Sequence, residues 1–209
     1  MGYNRNDALT RKARQEGFAA RSVYKLKEIN NKYHIIPDHG NVIDLGAAPG
    51  SWLQEVSEKI GPTRRILAFD LKHIQVKLEN VTFVKAELTK ENFSALIKKN
   101  KLNKVTLVIS DMAPNTTGVR DLDQVRSYEL CLLALEVAKT FLETDGNFVC
   151  KMFESEFRED FEKELKIHFA HVKLVRPKST RSTSKEIFFM AKEFFRGFEL
   201  KKKSRSFLN

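Results

Sequence analysis

The sequence lacks three features that would place the protein outside a reducing, aqueous compartment. It has only two cysteines, Cys131 and Cys150, each inside an apolar run, which predicts reduced thiols rather than a disulfide framework. No stretch approaches the roughly 20 apolar residues that span a bilayer, so we expect no membrane-spanning segment. The opening MGYNRNDALT has no apolar run behind its charges, which predicts that no secretory signal is present. These absences favour a cytoplasmic protein.

Acidic residues are also in deficit. The chain has 37 Lys and Arg against 27 Asp and Glu, which gives a formal net charge of +10. Basic side chains outnumber acidic ones in residues 1–36 and again in residues 196–209, so both ends are basic. Such a surplus favours an anionic polymer as partner, and solubility is the alternative explanation. The side chains that we expect to contact phosphates are Arg11, Arg14, Arg21 and Lys178.

Hydrophobic patterning predicts an α/β fold. Strands are predicted at 41–45, 65–70, 81–84, 105–110, 147–152, 171–175 and 186–191. Helices are predicted at 19–33, 51–60, 91–100, 124–142 and 156–168. This alternation indicates a mostly parallel, doubly wound sheet with helices on both faces. Only RPKSTRSTSK joins the last two strands, which is short for a crossover, so the seventh strand is expected to run antiparallel as a hairpin partner.

A turn rich in small residues follows the first strand. The segment DLGAAPGSW, residues 44–52, ends that strand and begins a helix, and small residues there let a ligand approach the backbone. The position is the carboxyl end of the first strand, where open α/β sheets bind ligands. Asp70 ends the second strand, where a carboxylate can accept hydrogen bonds from both ribose hydroxyls of an adenosine-bearing cofactor.

This turn has three possible explanations. It can be a tight turn with no ligand, or a dinucleotide site, or a site for S-adenosylmethionine. The dinucleotide explanation fits less well, because the segment is not G-x-G-x-x-G and Pro49 lacks a backbone donor for a pyrophosphate. S-adenosylmethionine has a ribose and an adenine but no phosphate, and it fits better.

Four charged residues stand where charge is costly. Asp111 follows the apolar strand VTLVIS, Lys151 lies inside NFVCKMF, Glu186 precedes IFFMA, and Lys25 is on the polar side of the first helix. Each has an ordinary explanation: a turn former, an ion-paired strand residue, an edge charge and a solvated helix residue. Lys151 is the hardest to explain in this way, because an ammonium in a central strand needs a carboxylate partner.

The separated motifs resemble those of the FtsJ/RrmJ-type ribose 2′-O-methyltransferases over residues 10–192. The stretches that carry the resemblance, in order, are RKARQEGFAARSVYKLKEI, VIDLGAAPGSWLQ, SDMAPNTTG, NFVCKMF and RPKSTRSTSKEIFFMA. The resemblance implies a Rossmann-like class I methyltransferase fold whose last strand is antiparallel. It implies one catalytic domain over 1–195, with a basic helical lead-in, and a basic tail over 196–209.

The resemblance also implies site residues. The family's Lys-Asp-Lys-Glu tetrad corresponds to Lys25, Asp111, Lys151 and Glu186. We assign Lys151 as general base, Asp111 as its orienter, and Lys25 with Glu186 as the pair that positions the ribose. The implied cofactor contacts are Gly46, Gly50, Trp52, Asp70, Glu87 and Asp111. Where the family has Asp near the adenine this chain reads FVKAE, so Glu87 keeps the charge with a longer reach.

The expected substrate is a ribose, of a uridine, in large-subunit ribosomal RNA or the assembled large subunit. The alternative is a tRNA anticodon loop. We expect a monomer that uses no metal, since the five histidines are scattered. Two rival classes are a nucleotide-dependent oxidoreductase and an RNA-binding module without activity. The four filled tetrad positions count against the second rival.

Overall fold

The computed structural model describes residues 8–196, in which seven strands form one sheet. The strands are β1 (Asn41–Leu45), β2 (Ile66–Asp70), β3 (Val81–Lys85), β4 (Val105–Ser110), β5 (Leu142–Phe153), β6 (Phe169–Val175) and β7 (Glu186–Phe194). The helices are α1 (Ala8–Gln15), α2 (Val23–Tyr33), α3 (Ser51–Ile60), α4 (Phe93–Lys99), α5 (Arg120–Phe141) and α6 (Arg158–His168). Strands and helices alternate from β1 to β6, as the apolar pattern predicts, except that β3 follows β2 without a helix between them.

The sheet has the strand order β3-β2-β1-β4-β5-β7-β6. Neighbouring strands from β3 to β5 are parallel, so their carboxyl ends meet at one edge. β7 inserts between β5 and β6 and runs antiparallel to both. The predicted β6–β7 hairpin is therefore confirmed, and it brings the start of β7 to the same edge as the end of β5.

Apolar side chains cover both faces of the sheet. Residues of α2 and α3 pack on one face, and residues of α4, α5 and α6 pack on the other. Alternation along β5 divides its side chains between these layers: Cys150 and Met152 face α5 and α6, whereas Val149 faces α2 and α3. Lys151 shares the face of Val149. The charged side chain thus points toward the layer that contains α2.

Three predicted element boundaries were wrong. The first predicted helix, 19–33, begins only at Val23, and the Ala19 N–H in the segment before it donates to the side chain of Gln54. The helix predicted at 124–142 begins earlier, at Arg120, and Asp123 caps the loop before it. β5 extends back to Leu142 through an exposed polar stretch that includes Asp145 at φ 65. This stretch interrupts the alternation of apolar and polar residues, so the pattern did not predict the first part of the strand.

The remaining boundaries differ by a few residues. The strands predicted at 171–175 and 186–191 extend to Phe169–Val175 and Glu186–Phe194. Apart from Arg196, the predicted basic tail lies outside the described residues. Within the described chain, no helix is long and apolar enough to cross a bilayer.

Phe161 on α6 provides a test of the packing. Its side chain is fully buried, and its ring lies 5.2 Å from that of Phe189 on β7. We expect Phe161→Ala to lower the free energy of unfolding by about 3–5 kcal/mol, because it removes a buried ring and leaves a cavity. Ile167→Ala on the same helix is the control, since Ile167 is 52% exposed and its loss should change stability by less than about 0.5 kcal/mol. Equal shifts in urea denaturation would contradict the packing described here.

Candidate active site

A cavity of about 270 Å³ opens at the carboxyl edge of the sheet, beyond the ends of β1 to β4. Its walls come from the segments that follow these strands, together with Leu130 of α5. Four of the residues predicted to contact a cofactor line it, namely Gly46, Asp70, Glu87 and Asp111. Because parallel strands end at one edge, residues far apart in sequence converge on one space.

Gly46 is required by the close approach of two loops. Its φ is +80°, and a Cβ there would lie 2.7 Å from the backbone nitrogen of Met112. The two loops are also joined directly, since the Asp111 N–H donates to the Leu45 carbonyl at 3.0 Å. Any side chain at position 46 would push apart the segments that form the cavity.

Asp70 supports the backbone around the cavity as well as lining it. Its Oδ2 accepts a hydrogen bond from the Ala48 N–H at 2.8 Å, and its Oδ1 accepts one from the Lys72 N–H at 2.7 Å. Each carboxylate oxygen has a second lone pair, so both can still accept a hydroxyl hydrogen. Asp70 thus fixes the glycine-rich turn while keeping capacity for a ligand.

Two of the predicted cofactor residues do not line the cavity. Trp52 is buried, its Nε1–H donates to the Ser22 carbonyl at 2.9 Å, and its ring lies 5.9 Å from that of Phe188. Gly50 begins α3 at φ +116°, where a Cβ would meet Val76 at 2.5 Å. The reason is that the chain turns into α3 at these positions and leaves the edge of the cavity. Trp52 instead links α3 to the residue that precedes α2.

The first pair of charged residues is Lys151 and Asp111. Lys151 Nζ donates to the backbone carbonyl of Asp111 at 2.6 Å and lies 3.1 Å from Asp111 Oδ1. The Lys151 side chain is only 6% exposed, so its charge has little access to water. Asp111 directly follows β4, and β4 is the neighbour of β5 in the sheet. The carboxylate of Asp111 therefore reaches the ammonium of Lys151 on β5.

The second pair is Lys25 and Glu186. Lys25 Nζ donates to Glu186 Oε2 at 2.5 Å and lies 5.6 Å from the centre of the Phe188 ring. Lys25 is 12% exposed, so it is not an ordinary solvated helix residue. Glu186 begins β7 directly opposite Phe153 at the end of β5. The structure therefore brings all four tetrad residues to one place, two cations paired with two carboxylates.

The two pairs are coupled electrostatically. Burial alone lowers the pKa of Lys151, but the nearby charges of Asp111 and Glu186 outweigh it, and the pKa is raised above the ordinary lysine value. Burial raises the pKa of Glu186, but the charges of Lys25 and Lys151 lower it more. At neutral pH Lys151 is therefore an ammonium and Glu186 a carboxylate.

The side chains predicted to contact phosphates lie in different environments. Arg11 and Arg14 are exposed on α1, and the side chain of Lys178 is exposed in the β6–β7 loop. Arg21 is engaged with the protein, since its Nη2 donates to the Ser179 carbonyl at 2.5 Å. Glu28 on α2, which the sequence did not single out, accepts the backbone N–H groups of Lys178 at 2.6 Å and of the next residue at 2.9 Å. The β6–β7 loop is therefore held against α2.

Comparison with known sequences gives the family. The sequence profile described as FtsJ-like methyltransferase matches residues 18–194, a span that contains Lys25, Asp111, Lys151 and Glu186. The chain belongs to the FtsJ-like methyltransferase family.

Individual relatives cover nearly the whole chain. Ribosomal RNA large subunit methyltransferase E of Bdellovibrio bacteriovorus is 48% identical over 191 residues, which are 91% of this chain and 97% of the relative. The protein of the same name from Nitratidesulfovibrio vulgaris is 45% identical over 182 residues, 86% of this chain and 88% of the relative. Among solved structures, a Plasmodium falciparum protein described as a ribosomal RNA methyltransferase aligns with a TM-score of 0.73 and 27% identity, covering 85% of this chain and 98% of that one.

Asp44 on β1 is a site residue that the sequence reasoning missed. It is fully buried, and neither carboxylate oxygen has a hydrogen-bond partner among the described residues. Burial, followed by the charges of Asp111 and Asp70, raises its pKa well above the ordinary value. The signal in the sequence was a charged residue inside the apolar strand NVIDL.

We expect Asp44→Asn to stabilise the protein without ligands by about 1–3 kcal/mol at pH 7, because a buried carboxylate without a partner is costly to ionise. Since folding raises this pKa, wild-type stability falls as the pH rises above the ordinary Asp value of about 4, and the asparagine variant lacks that loss. The difference between variant and wild type in urea denaturation should therefore widen from pH 5 to pH 8. Asp121→Asn is the control, because Asp121 is exposed on α5. A lower stability of Asp44→Asn than of the wild type at pH 7 would contradict this account.

Proposed function

We propose that the chain is an S-adenosylmethionine-dependent enzyme that methylates a ribose 2′-hydroxyl in large-subunit ribosomal RNA. The observation that carries the proposal is the group formed by Lys151, Asp111, Lys25 and Glu186 at the carboxyl edge, beside a cavity suited to an adenosine-bearing cation. Family membership supports the methyl-transfer chemistry. The printed names of the relatives support the RNA substrate.

The residues around the cavity fit S-adenosylmethionine. Asp70, Glu87 and Asp111 line it, so the site is acidic and favours a cation. Gly46 leaves the backbone open where a Cβ would clash. An acidic cavity is a poor fit for the pyrophosphate of a dinucleotide, which counts against the oxidoreductase alternative.

We assign each part of the cofactor to residues of this chain. Asp70 has lone pairs for the two ribose hydroxyls, and Glu87 lines the cavity beyond β3, where it can accept hydrogen bonds from the adenine. The apolar side chains of Phe69, Leu88 and Leu130 also line the cavity and suit a flat aromatic base. Asp111 lies nearest the Lys151 ammonium, so we place the methyl-donor end there.

The chemistry requires a hydroxyl to become a nucleophile. When bound, S-adenosylmethionine supplies a methyl group attached to a sulfonium sulfur, and the sulfur is released as a neutral thioether when the methyl group is transferred. Lys25 and Glu186 hold the ribose, and Lys151 accepts the hydroxyl proton. Lys151 must first lose its own proton. The negative charge of Asp111 opposes that loss, because it stabilises the ammonium form of Lys151. Because Asp111 also lines the cofactor cavity, its charge would be offset by a cation held there, and the pKa of Lys151 would then fall.

We propose that shape and charge, rather than a dedicated reading module, select the RNA. Arg11, Arg14 and Lys178 present exposed cations, and such contacts hold phosphates while carrying little sequence information. An assembled or nearly assembled large subunit would then expose the target ribose. We further propose one catalytic domain over 1–195 with a basic tail over 196–209, acting as a monomer in the cytoplasm.

Mapping ribose methylation tests the proposal. RNA from cells with and without the gene should differ at one 2′-O-methylated nucleotide, a uridine, in large-subunit ribosomal RNA. Purified enzyme should transfer a labelled methyl group to large subunits taken from cells without the gene. Efficient methylation of naked tRNA at the anticodon loop, with ribosomal subunits left untouched, would replace this proposal with the tRNA alternative.

Lys151→Met tests the assignment of the base. Methionine preserves most of the side-chain volume but accepts no proton, so we expect kcat to fall by at least about a hundredfold. The dissociation constant of S-adenosylmethionine, measured by calorimetry, should change little, and this binding also shows that the variant is folded. Lys59→Met is the matched control and should retain full activity, because the Lys59 side chain is exposed on α3. Substantial activity in folded Lys151→Met would rule out Lys151 as the base.

A further inference from the structure

A second cavity, of about 330 Å³, adjoins the tetrad at Glu186. The first turn of α5, the end of β5 and the start of β7 line it. Glu186 belongs to its lining, whereas Asp111 belongs to the lining of the cofactor cavity. Each cavity is thus lined by one carboxylate of the tetrad, which suits a transfer in which the methyl donor and the hydroxyl occupy separate cavities.

The acidic side chains of this second cavity are already paired within the protein. Asp123 accepts the backbone N–H groups of Thr117 at 2.7 Å and of the following residue at 3.2 Å. Glu154 Oε2 accepts a hydrogen bond from Arg176 at 3.2 Å, and Glu186 accepts one from Lys25. Glu154 and Glu186 thus each face a cation of the protein, and Asp123 is held by backbone N–H groups.

The basic side chains of the cavity are not paired in this way. Arg120 and Lys185 are exposed, and neither takes part in an ion pair with another described residue. Two unpaired cations remain beside acids that are already satisfied. The cavity therefore favours an anionic ligand, although it lies next to Glu186.

Two further residues suit the cavity to a nucleobase. Phe153 lies on the same face of β5 as Lys151, two positions further on, and its ring is only partly buried. An aromatic face of this kind stacks on a base. Gln124 is held in place, since its Nε2 donates to the Glu154 carbonyl at 2.8 Å. Its Oε1 is thereby left as an acceptor for a base N–H, such as N3–H of uracil.

We propose that this cavity binds the nucleoside that is methylated, with its base on Phe153 and Gln124 and the flanking phosphates on Arg120 and Lys185. The proposal rests on the proposed function and adds the residues that select the acceptor. It places the ribose beside Glu186, between the base site and the methyl donor.

Substitutions at Phe153 test the stacking contact. With large ribosomal subunits from cells lacking the gene as substrate, we expect Phe153→Leu to lower kcat/KM for the subunits by about tenfold or more, because a base loses its aromatic partner. Phe153→Tyr keeps the ring and should restore most of the activity. The dissociation constant of S-adenosylmethionine should stay unchanged in both variants. Phe141→Leu, at the end of α5 directly before β5 and thus far from Phe153 at the other end of that strand, is the matched aromatic control and should behave as wild type.

Gln124→Met tests the polar contact to the base. Loss of one hydrogen bond should lower kcat/KM for subunits by about two- to tenfold, again without an effect on cofactor binding.

The two cations are tested by salt dependence. Arg120→Ala combined with Lys185→Ala should weaken binding of the subunits and reduce the slope of log affinity against log salt by about 0.7 for each lost phosphate contact. Lys59→Ala, on the exposed side of α3, is the control and should leave the slope as it is.

The outcomes separate this proposal from the proposed function. If the wild type methylates a ribose but the Phe153, Gln124 and double-cation variants all stay within twofold of it, the second cavity does not hold the acceptor. If mass spectrometry finds the wild-type product methylated on a base, the proposed function itself fails. If Phe153→Leu no longer binds S-adenosylmethionine, its effect on activity is structural. The double-cation variant then decides whether the second cavity binds the acceptor nucleoside.

Discussion

Lys151 carries an ammonium group into a buried strand, and the rest of the site is arranged around that charge. An unpaired ammonium at 6% exposure would be unstable, so the fold must supply carboxylates. β4 supplies Asp111 from one neighbouring strand, and β7 supplies Glu186 from the other. Glu186 in turn holds Lys25 of α2. One buried cation therefore requires three elements to meet at one edge of the sheet.

The antiparallel β7 makes this meeting possible. A parallel seventh strand would begin at the opposite edge of the sheet and leave Glu186 far from Lys151. Because β7 runs against β5, its first residue stands opposite the last residue of β5, at the edge where the cofactor cavity opens. The β6–β7 loop is then positioned by Glu28 of α2 and by Arg21, which precedes α2; both bind the backbone of the loop. Strand direction and these contacts together bring basic residues of the loop to the catalytic edge.

Charge is divided unevenly across the site, and the division matches the proposed ligands. On the cofactor side the carboxylates of Asp70 and Asp111 raise the negative potential, which suits a sulfonium. Around the second cavity Glu154 and Glu186 are paired with cations of the protein, and Arg120 and Lys185 remain for phosphates. Asp44 illustrates the cost of clustering carboxylates, since burial and the charges of Asp111 and Asp70 disfavour its ionised form.

The sequence by itself determined the order and type of the elements, the antiparallel last strand, the turn that lines the cofactor cavity and the four residues of the tetrad. The elements, the last strand and the turn follow from local signals: the period of apolar residues, small residues after a strand, and a short connection. The tetrad follows from the resemblance of separated motifs to a known family, and Asp111, Lys151 and Glu186 also stood out as charges beside or within apolar strands. Four of the predicted cofactor residues line the cavity, but Trp52 and Gly50 lie behind it, since the chain turns into α3 there. Only the tertiary structure decided the partners. Lys25 and Glu186 are 161 residues apart, and Glu28 contacts backbone 150 residues away, so no local pattern relates them. The free carboxylate of Asp44 and the second cavity likewise depend on how separate elements pack, because a sequence pattern reports burial and period but not which distant groups a buried charge will face.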